Sequence, residues 1–341
     1  MRAAIFECVG QPLKIETLPD LTPGAGEVVL KIHRCGICGT DLHMTDGHSA
    51  PPAPAGSVLG HEYAGEVVAR GRDVQGLAIG DRVSAMPLRG CGSCRYCLAG
   101  EPVWCAAVRP NFGGFAEYAL ITPASCVKLP ASLSFDDGAL VEPLSVALHG
   151  VLKAGTLLGR TVLVMGAGPI GLGVVFWARR MGAARITVIE GSVARTELAY
   201  AMGATVCQPP AAADAAAFSG DELGGPVNVS EMPEVVFECV GKPGLLGQAI
   251  AYARPRGAVV SLGFCMRADR FVPASAGAKE LTLHFPVAWT LAEFQTAMDA
   301  MDAGAVEPRQ MVTEVVSLDA APAAFEALRS AAVNCKVLVA P

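Results

Sequence analysis

The stretch Thr161 to Ala178, TVLVMGAGPIGLGVVFWA, decides how the rest of the chain is read. It is uncharged over 18 residues and bracketed by Arg160 and Arg179, so hydropathy alone would make it a membrane span. Gly166, Gly168, Pro169 and Gly171 interrupt it in the middle, where a spanning helix would run unbroken. It divides instead into a buried strand, a tight glycine turn and a helix. Gly166-Ala-Gly168-Pro169-Ile170-Gly171 fits G-x-G-x-x-G with a strand before it and a helix after it. Such glycines allow a sharp turn and a close backbone approach, so that a dinucleotide's pyrophosphate can sit on the helix N-terminus.

Downstream the alternation continues through strand RITVIE (185–190), helix VARTELAYAMG (193–203) and strands EVVFECVG (234–241) and AVVSLGF (258–264). Strands alternating with helices predict an α/β fold with a doubly wound parallel sheet. Glu190 ends the second strand, 19 residues after Gly171. A carboxylate there accepts hydrogen bonds from the adenosine ribose and repels a 2′-phosphate, which favours NAD over NADP. Arg195 pulls the other way if it pairs with a phosphate, and is otherwise a solvated helix residue. The Ala/Pro/Gly-rich segment 208–233 reads as a loop with at most one short helix.

Upstream, residues 1–150 hold short β-like runs separated by Gly and Pro: VVLKIH, YAGEVVA, DRVSAM and AEYALI. They predict a compact barrel or sandwich. From 287 onward comes an amphipathic helix, LAEFQTAMDAMDAG, and a final strand, CKVLVAP. The helix needs a partner face. The division expected is therefore 1–150 as a β-rich catalytic domain, 151–286 as the dinucleotide domain, and 287–341 as a segment returning to the first. No internal repeat is visible.

Two constellations in the first domain carry metal chemistry. Cys91-x2-Cys94-x2-Cys97-x7-Cys105 places four thiolates within fifteen residues, the donor set of a closed, structural zinc site. Cys38-Gly-Thr40-Asp41-Leu-His43 and Gly60-His61-Glu62 supply a second set. Cys38 and His61 are candidate ligands, with Glu62 or Glu142 as a third, leaving one position open as in a catalytic zinc.

Composition excludes other classes. Acidic residues outnumber basic ones 32 to 26 and no basic stripe is present, so no nucleic-acid partner is expected. The opening MRAAIFECVG leads into a strand-like run without a signal-peptide core, and the expected location is the cytoplasm, with no membrane association. The 12 cysteines are then reduced thiols or ligands, and the seven outside the motifs are expected in the core.

The ordered set GICGTDLH, GHEYAGEVV, the four-cysteine lobe, GGFAEY, EPLSVALHG and GAGPIG resembles the zinc-containing medium-chain alcohol dehydrogenases, over essentially the whole chain. The run Glu142-Pro143-Leu144-Ser145 is most similar to their sorbitol and butanediol dehydrogenase branch. The resemblance implies a GroES-like β-rich catalytic domain with a Rossmann domain inserted, the active site in the cleft between them, and two zinc ions per chain. It implies that Cys38 and His61 bind the catalytic zinc, completed by Glu62 or Glu142 directly or through water, and that Asp41 orients His61. Thr40 and His43 match the proton-relay positions: Thr40 takes the hydroxyl proton and passes it through the cofactor ribose to His43, while hydride moves between the alcohol carbon and NAD. It also implies a homotetramer, with a dimer second.

The match loosens at the substrate. Polyol oxidisers of this branch carry an aromatic hydroxyl just after the relay histidine, where this chain has Met44, and a late arginine, near which it has Pro286 within HFPVAWT. Met44, Phe112 and Trp289 are candidate pocket walls. An apolar pocket disfavours a free polyol, whose hydroxyls would be desolvated without partners. The expected substrate is thus a weakly polar secondary, cyclic or aromatic alcohol, with its ketone or aldehyde as product. The alternative is a polyol or vicinal-diol dehydrogenase, and more remotely a silent dinucleotide-binding structural or regulatory protein.

Overall fold

A computed structural model describes residues 1–48, 52–210, 232–330 and 334–341. The chain forms two compact units, Met1–Ser145 with Trp289–Pro341, and Val146–Ala288.

The first unit is β-rich. Its larger sheet runs in the order Cys126–Lys128, Arg82–Ala85, Glu62–Arg70, Val28–Gly36, Lys336–Ala340 and Val312–Ser317, and Tyr118–Ile121 also pairs with Val28–Gly36. A smaller sheet joins Lys14–Thr17, Arg2–Phe6 and Ser57–Val58. Alternation drives the inner faces together, because successive strand residues point to opposite sides. Leu30, Ile32, Tyr63, Val67, Phe115 and Phe325 are all buried in one cluster. Phe115 meets Phe325 edge-on with ring centroids 6.3 Å apart. Lys336–Ala340 pairs antiparallel with the end of Val28–Gly36, placing Leu338 opposite Gly36 and Val339 opposite Cys35. Late and early parts of the chain thus share one sheet.

The second unit is a six-stranded sheet in which every described pairing is parallel. Its order is Val206–Gln208, Arg185–Ile189, Thr161–Met165, Val235–Glu238, Ala258–Ser261, Thr282–His284. Numbered along the chain this is 3-2-1-4-5-6, the Rossmann order, whose switch point lies between the first and fourth strands. The opening stretch divides as its glycines require: strand Thr161–Met165, turn, helix Pro169–Arg180. The segment 208–233 lies outside the described residues except at its ends. No helix among the described residues is long and apolar enough to cross a membrane.

Several elements escaped sequence reasoning. Phe135–Lys153 is a 19-residue helix that carries Glu142 and keeps Pro143 inside it. Strand Val312–Ser317 and helix Ala321–Ser330 fill the interval between the two tail elements that the pattern revealed. Cys8, expected in the core, is exposed, because the chain turns there and the Gln11 N–H donates to its carbonyl at 3.3 Å.

Candidate functional site

Strand register creates the first cluster. Val28–Gly36 and Glu62–Arg70 pair antiparallel as far as Gly36 opposite Glu62. Cys38 lies two residues beyond Gly36 and His61 one before Glu62, so both side chains arrive at the same end of the ladder. The Cys38 thiol, a His61 ring nitrogen and a Glu62 oxygen lie within 4.8 Å of one another. A Cβ on Gly36 would collide with Glu62 Oε2, so any larger residue there would displace that carboxylate.

Asp41, fully buried in the short helix Gly39–Met44, fastens this cluster. Its Oδ2 accepts the Cys38 N–H at 3.0 Å, while Oδ1 accepts the Gly60 N–H and lies 3.2 Å from His61 Nδ1. With Nδ1 engaged, Nε2 of His61 is left for a metal, the usual arrangement behind a ligating imidazole. Burial works to lower the His61 pKa, but Asp41 and the Cys38 thiol outweigh it and raise it well above the ordinary value.

Two carboxylates, Glu62 within the cluster and Glu142 beside it, each have a partner that sequence reasoning missed. Glu62 receives Nζ of the buried Lys336 on both oxygens, at 2.8 and 2.5 Å, and the same amine donates to the Ile37 carbonyl at 3.1 Å. Glu142 accepts the indole N–H of Trp289 at 3.0 Å and falls outside the 4.8 Å set. Burial pushes the Glu142 carboxyl up to about 7. Trp289, expected as a pocket wall, is only 2% exposed and rests its ring against Phe294. Met44 packs half-buried against the core, and Phe112 lies between that core and the His61 ring, 5.4 Å away. Thr40 and His43 sit one turn apart on the exposed side of their helix, and His43 Nδ1 is 3.5 Å from Asp46.

The second cluster is local. Cys91, Cys94, Cys97 and Cys105 bring four sulfurs within 4.8 Å of one another, with none of them in a disulfide. Backbone amides point at these sulfurs: Cys94 N–H to Cys91 Sγ and Cys91 N–H to Cys105 Sγ, both 3.3 Å, and Ala107 N–H to Cys105 Sγ, 3.4 Å. Hydrogen bonds, chiefly from Ser93, draw the Cys91 thiol down to about 6. Four converging sulfurs are the donor set of a structural zinc, and the cysteine–histidine–carboxylate cluster is that of a catalytic one. Both donor sets fit the metal.

In the second unit Gly166 turns at φ 90°, and Gly168 N-caps the helix beginning at Pro169 and Ile170. A Cβ on Gly171 would overlap the Gly166 carbonyl. Glu190 accepts the Ala167 N–H on one oxygen at 2.8 Å, and the Gly191 and Ser192 N–H groups on the other at 2.8 and 2.9 Å. It therefore ties the glycine turn to the end of the second strand. Arg195 lies half-buried on helix Val193–Met202.

Against known proteins, residues 24–131 match the alcohol dehydrogenase GroES-like domain and residues 169–303 the zinc-binding dehydrogenase family. Sorbitol dehydrogenase of Ovis aries is 31% identical over 326 residues, 92% of this chain and 89% of that protein. The chain belongs to the zinc-containing medium-chain dehydrogenases. L-threonine 3-dehydrogenase of Streptomyces coelicolor is 38% identical over 273 residues, 77% of each chain. A protein described as a zinc-binding dehydrogenase of Sinorhizobium meliloti, solved bound to NADP, superposes with a TM-score of 0.87 at 33% identity, covering 100% and 99% of the two chains. As a family member the chain is a zinc-dependent NAD(P) dehydrogenase acting on CH–OH donors. Of these relatives, the sorbitol dehydrogenase backs the polyol and diol alternative better than the weakly polar alcohol.

Proposed function

We propose that this dehydrogenase oxidises a secondary hydroxyl of a polyol or vicinal diol, using NAD, and works as a homotetramer. The observation that carries the reaction is the convergence of Cys38, His61 and Glu62, with Asp41 holding the first two in place. The substrate class rests on the sorbitol dehydrogenase relative, which matches more of the chain than the threonine enzyme does.

Cys38, His61 and Glu62 would hold the catalytic zinc, with Glu142 close by. The four cysteines hold the structural one. When bound, the catalytic zinc supplies Lewis acidity at the substrate oxygen and the dinucleotide a hydride acceptor. Asp41 keeps the His61 ring turned so that Nε2 faces inward. The Thr40 hydroxyl accepts the substrate proton while giving its own toward His43, whose exposed ring releases it to solvent. Gly166, Gly168 and Gly171 let the backbone approach the pyrophosphate. Glu190, fixed by three amides, would accept hydrogen bonds from the adenosine ribose and disfavour a 2′-phosphate. The Sinorhizobium meliloti relative is bound to NADP, so the NAD preference rests on Glu190 itself.

A substrate panel tests the reading: sorbitol, xylitol and 2,3-butanediol against L-threonine and against cyclic and benzylic alcohols, each with NAD and NADP. The expected result is a kcat/KM for polyols or diols about tenfold or more above the rest, roughly 1.4 kcal/mol of transition-state preference. Preference for the apolar set would restore the weakly polar alcohol, and higher activity with NADP would remove the role given to Glu190. Light scattering checks the tetramer, which a monomeric or dimeric mass would overturn.

A further inference from the structure

In an open parallel sheet the ligand crevice lies beyond the carboxyl ends of the strands, where the order reverses. In the second unit that point lies between Thr161–Met165 and Val235–Glu238. One side carries the glycine turn beginning at Gly166. The other carries Cys239-Val240-Gly241, a turn to which the cofactor motif assigns nothing.

This second turn is built around Glu238, the last residue of its strand and only 2% exposed. Its carboxylate points along its own chain: Oε1 accepts the Val240 and Gly241 N–H groups, each at 2.7 Å, and Oε2 accepts the Ser261 hydroxyl at 3.2 Å. Its backbone carbonyl accepts Leu262 and Gly263 N–H groups at 2.7 and 2.9 Å. One residue thereby joins the turn after the fourth strand to the end of the fifth. Gly241, at φ 72°, and Gly263 lie so close that a Cβ on either would strike the other's backbone. The joined turns rest on the cofactor loop. A Cβ on Gly166 would come within 2.6 Å of Val240 Cγ2, and the Cys239 N–H donates to the Met165 carbonyl at 3.0 Å. On another side the turn borders a cavity of about 270 Å³, lined by Glu238, Lys242, Ser261 and Phe264 among others. Val240 remains 38% exposed, an apolar side chain beside Gly166 of the loop.

We infer that Glu238 is a positioning residue for the dinucleotide: its carboxylate fixes the Val240–Gly241 turn, and Val240 forms one wall of the cofactor seat opposite Gly168. A full negative charge is not needed for this, only two acceptor lone pairs for the amides and one partner for Ser261. Glutamine offers the same bonds, with its NH2 facing a hydroxyl that can turn to accept. Alanine leaves two amides without their acceptor and frees the turn.

The inference rests on reading the Gly166 loop as the dinucleotide seat, and the experiment separates the two. A methyl group on Gly168 would meet nothing within 4 Å, and the φ of −71° there suits any residue, so Gly168→Ala leaves the fold undisturbed and crowds only a ligand. NADH binding to the zinc-loaded protein is followed by fluorescence titration, beside kcat and alcohol KM at saturating cofactor. Glu238→Ala should raise the NADH Kd about tenfold, equivalent to roughly 1.4 kcal/mol, with kcat and the alcohol KM little changed. Glu238→Gln should return the Kd to within about threefold of the parent, since it restores the same hydrogen bonds. A merely structural role would instead lower kcat and bound zinc along with affinity. If Glu238→Ala does not fold, Val240→Ala decides the matter at an exposed position, and an unchanged Kd there overturns the inference. Unchanged Kd in Glu238→Ala with weakened binding in Gly168→Ala also overturns it. Unchanged Kd in Gly168→Ala would fail the seat itself, and the inference with it.

Discussion

The two metal-ligating clusters of the β-rich unit are assembled in opposite ways. The four-cysteine lobe draws every donor from fifteen consecutive residues, supports them with amides of the same loop, and leaves Cys91 exposed. The Cys38–His61–Glu62 cluster gathers its parts from 38 to 336: ligands on two strand ends, Asp41 behind them, Trp289 on Glu142 and Lys336 on Glu62. A closed thiolate site needs only a loop able to wrap an ion. A site with an open position must have each donor held by something other than the metal, and that support comes from distant chain. The local cluster is thus expected to stabilise its lobe, and the dispersed one to depend on the whole unit.

The sharpest way to break this contrast is to remove one donor from each. His61→Ala should abolish measurable turnover and lose the catalytic zinc while the lobe keeps its own. Cys97→Ser should release the other zinc and lower Tm. Metal analysis beside activity reads both, and loss of both ions in either variant would show that the clusters are not independent. Asp41→Ala tests whether the support matters as much as the donors. Removing a partner of a ligating histidine typically costs 10- to 100-fold in affinity or activity, so about that loss is expected in competition with a chelator.

The next effect is on stability. Lys336→Met leaves Glu62 buried beside a lost partner, which should cost about 3–5 kcal/mol in denaturant unfolding. Lys336→Met with Glu62→Gln should recover part of it; no difference between the two variants would mean the pair is not coupled. The smallest effect concerns Glu142. In zinc-stripped protein its carboxyl, held near 7 by burial, keeps a proton that the unfolded chain releases near 4.5. Stability should therefore fall as pH rises from about 4.5 toward 7, and level off above. Glu142→Gln should flatten that slope. Trp289→Phe, which removes one hydrogen bond, should cost only about 1 kcal/mol. A Glu142→Gln profile with the parent's slope would place the titration elsewhere.

The same contrast explains what could be read beforehand. Glycines at 166, 168 and 171 and cysteines at 91, 94, 97 and 105 act on their neighbours in the chain, so their spacing carries the geometry. Cys38, Asp41 and His61 are legible because each sits in a short run of distinctive residues. Lys336 is not, because its partner lies 274 residues away and spacing says nothing about such a pair. One signal is present: a lysine beside the apolar run VLVA of a strand is buried only with a counter-charge. Trp289 suggests a pocket wall by its ring alone, although a buried indole also needs an acceptor for its N–H. Glu238 is hidden for the opposite reason, since it bonds within its own turn but looks like the end of an ordinary buried strand.

The strand Lys336–Ala340 has a consequence for the order in which the protein can be made. It closes against Val28–Gly36 and sends Lys336 to Glu62, a residue 274 positions earlier, so two early segments wait for one of the last to be synthesised. During translation the four cysteines of the lobe are all in place by residue 105. The Cys38–His61 cluster gains the cation of its Glu62 only once Lys336 is made. Synthesis order therefore completes the donors of the cysteine lobe well before the supports of the Cys38–His61 cluster.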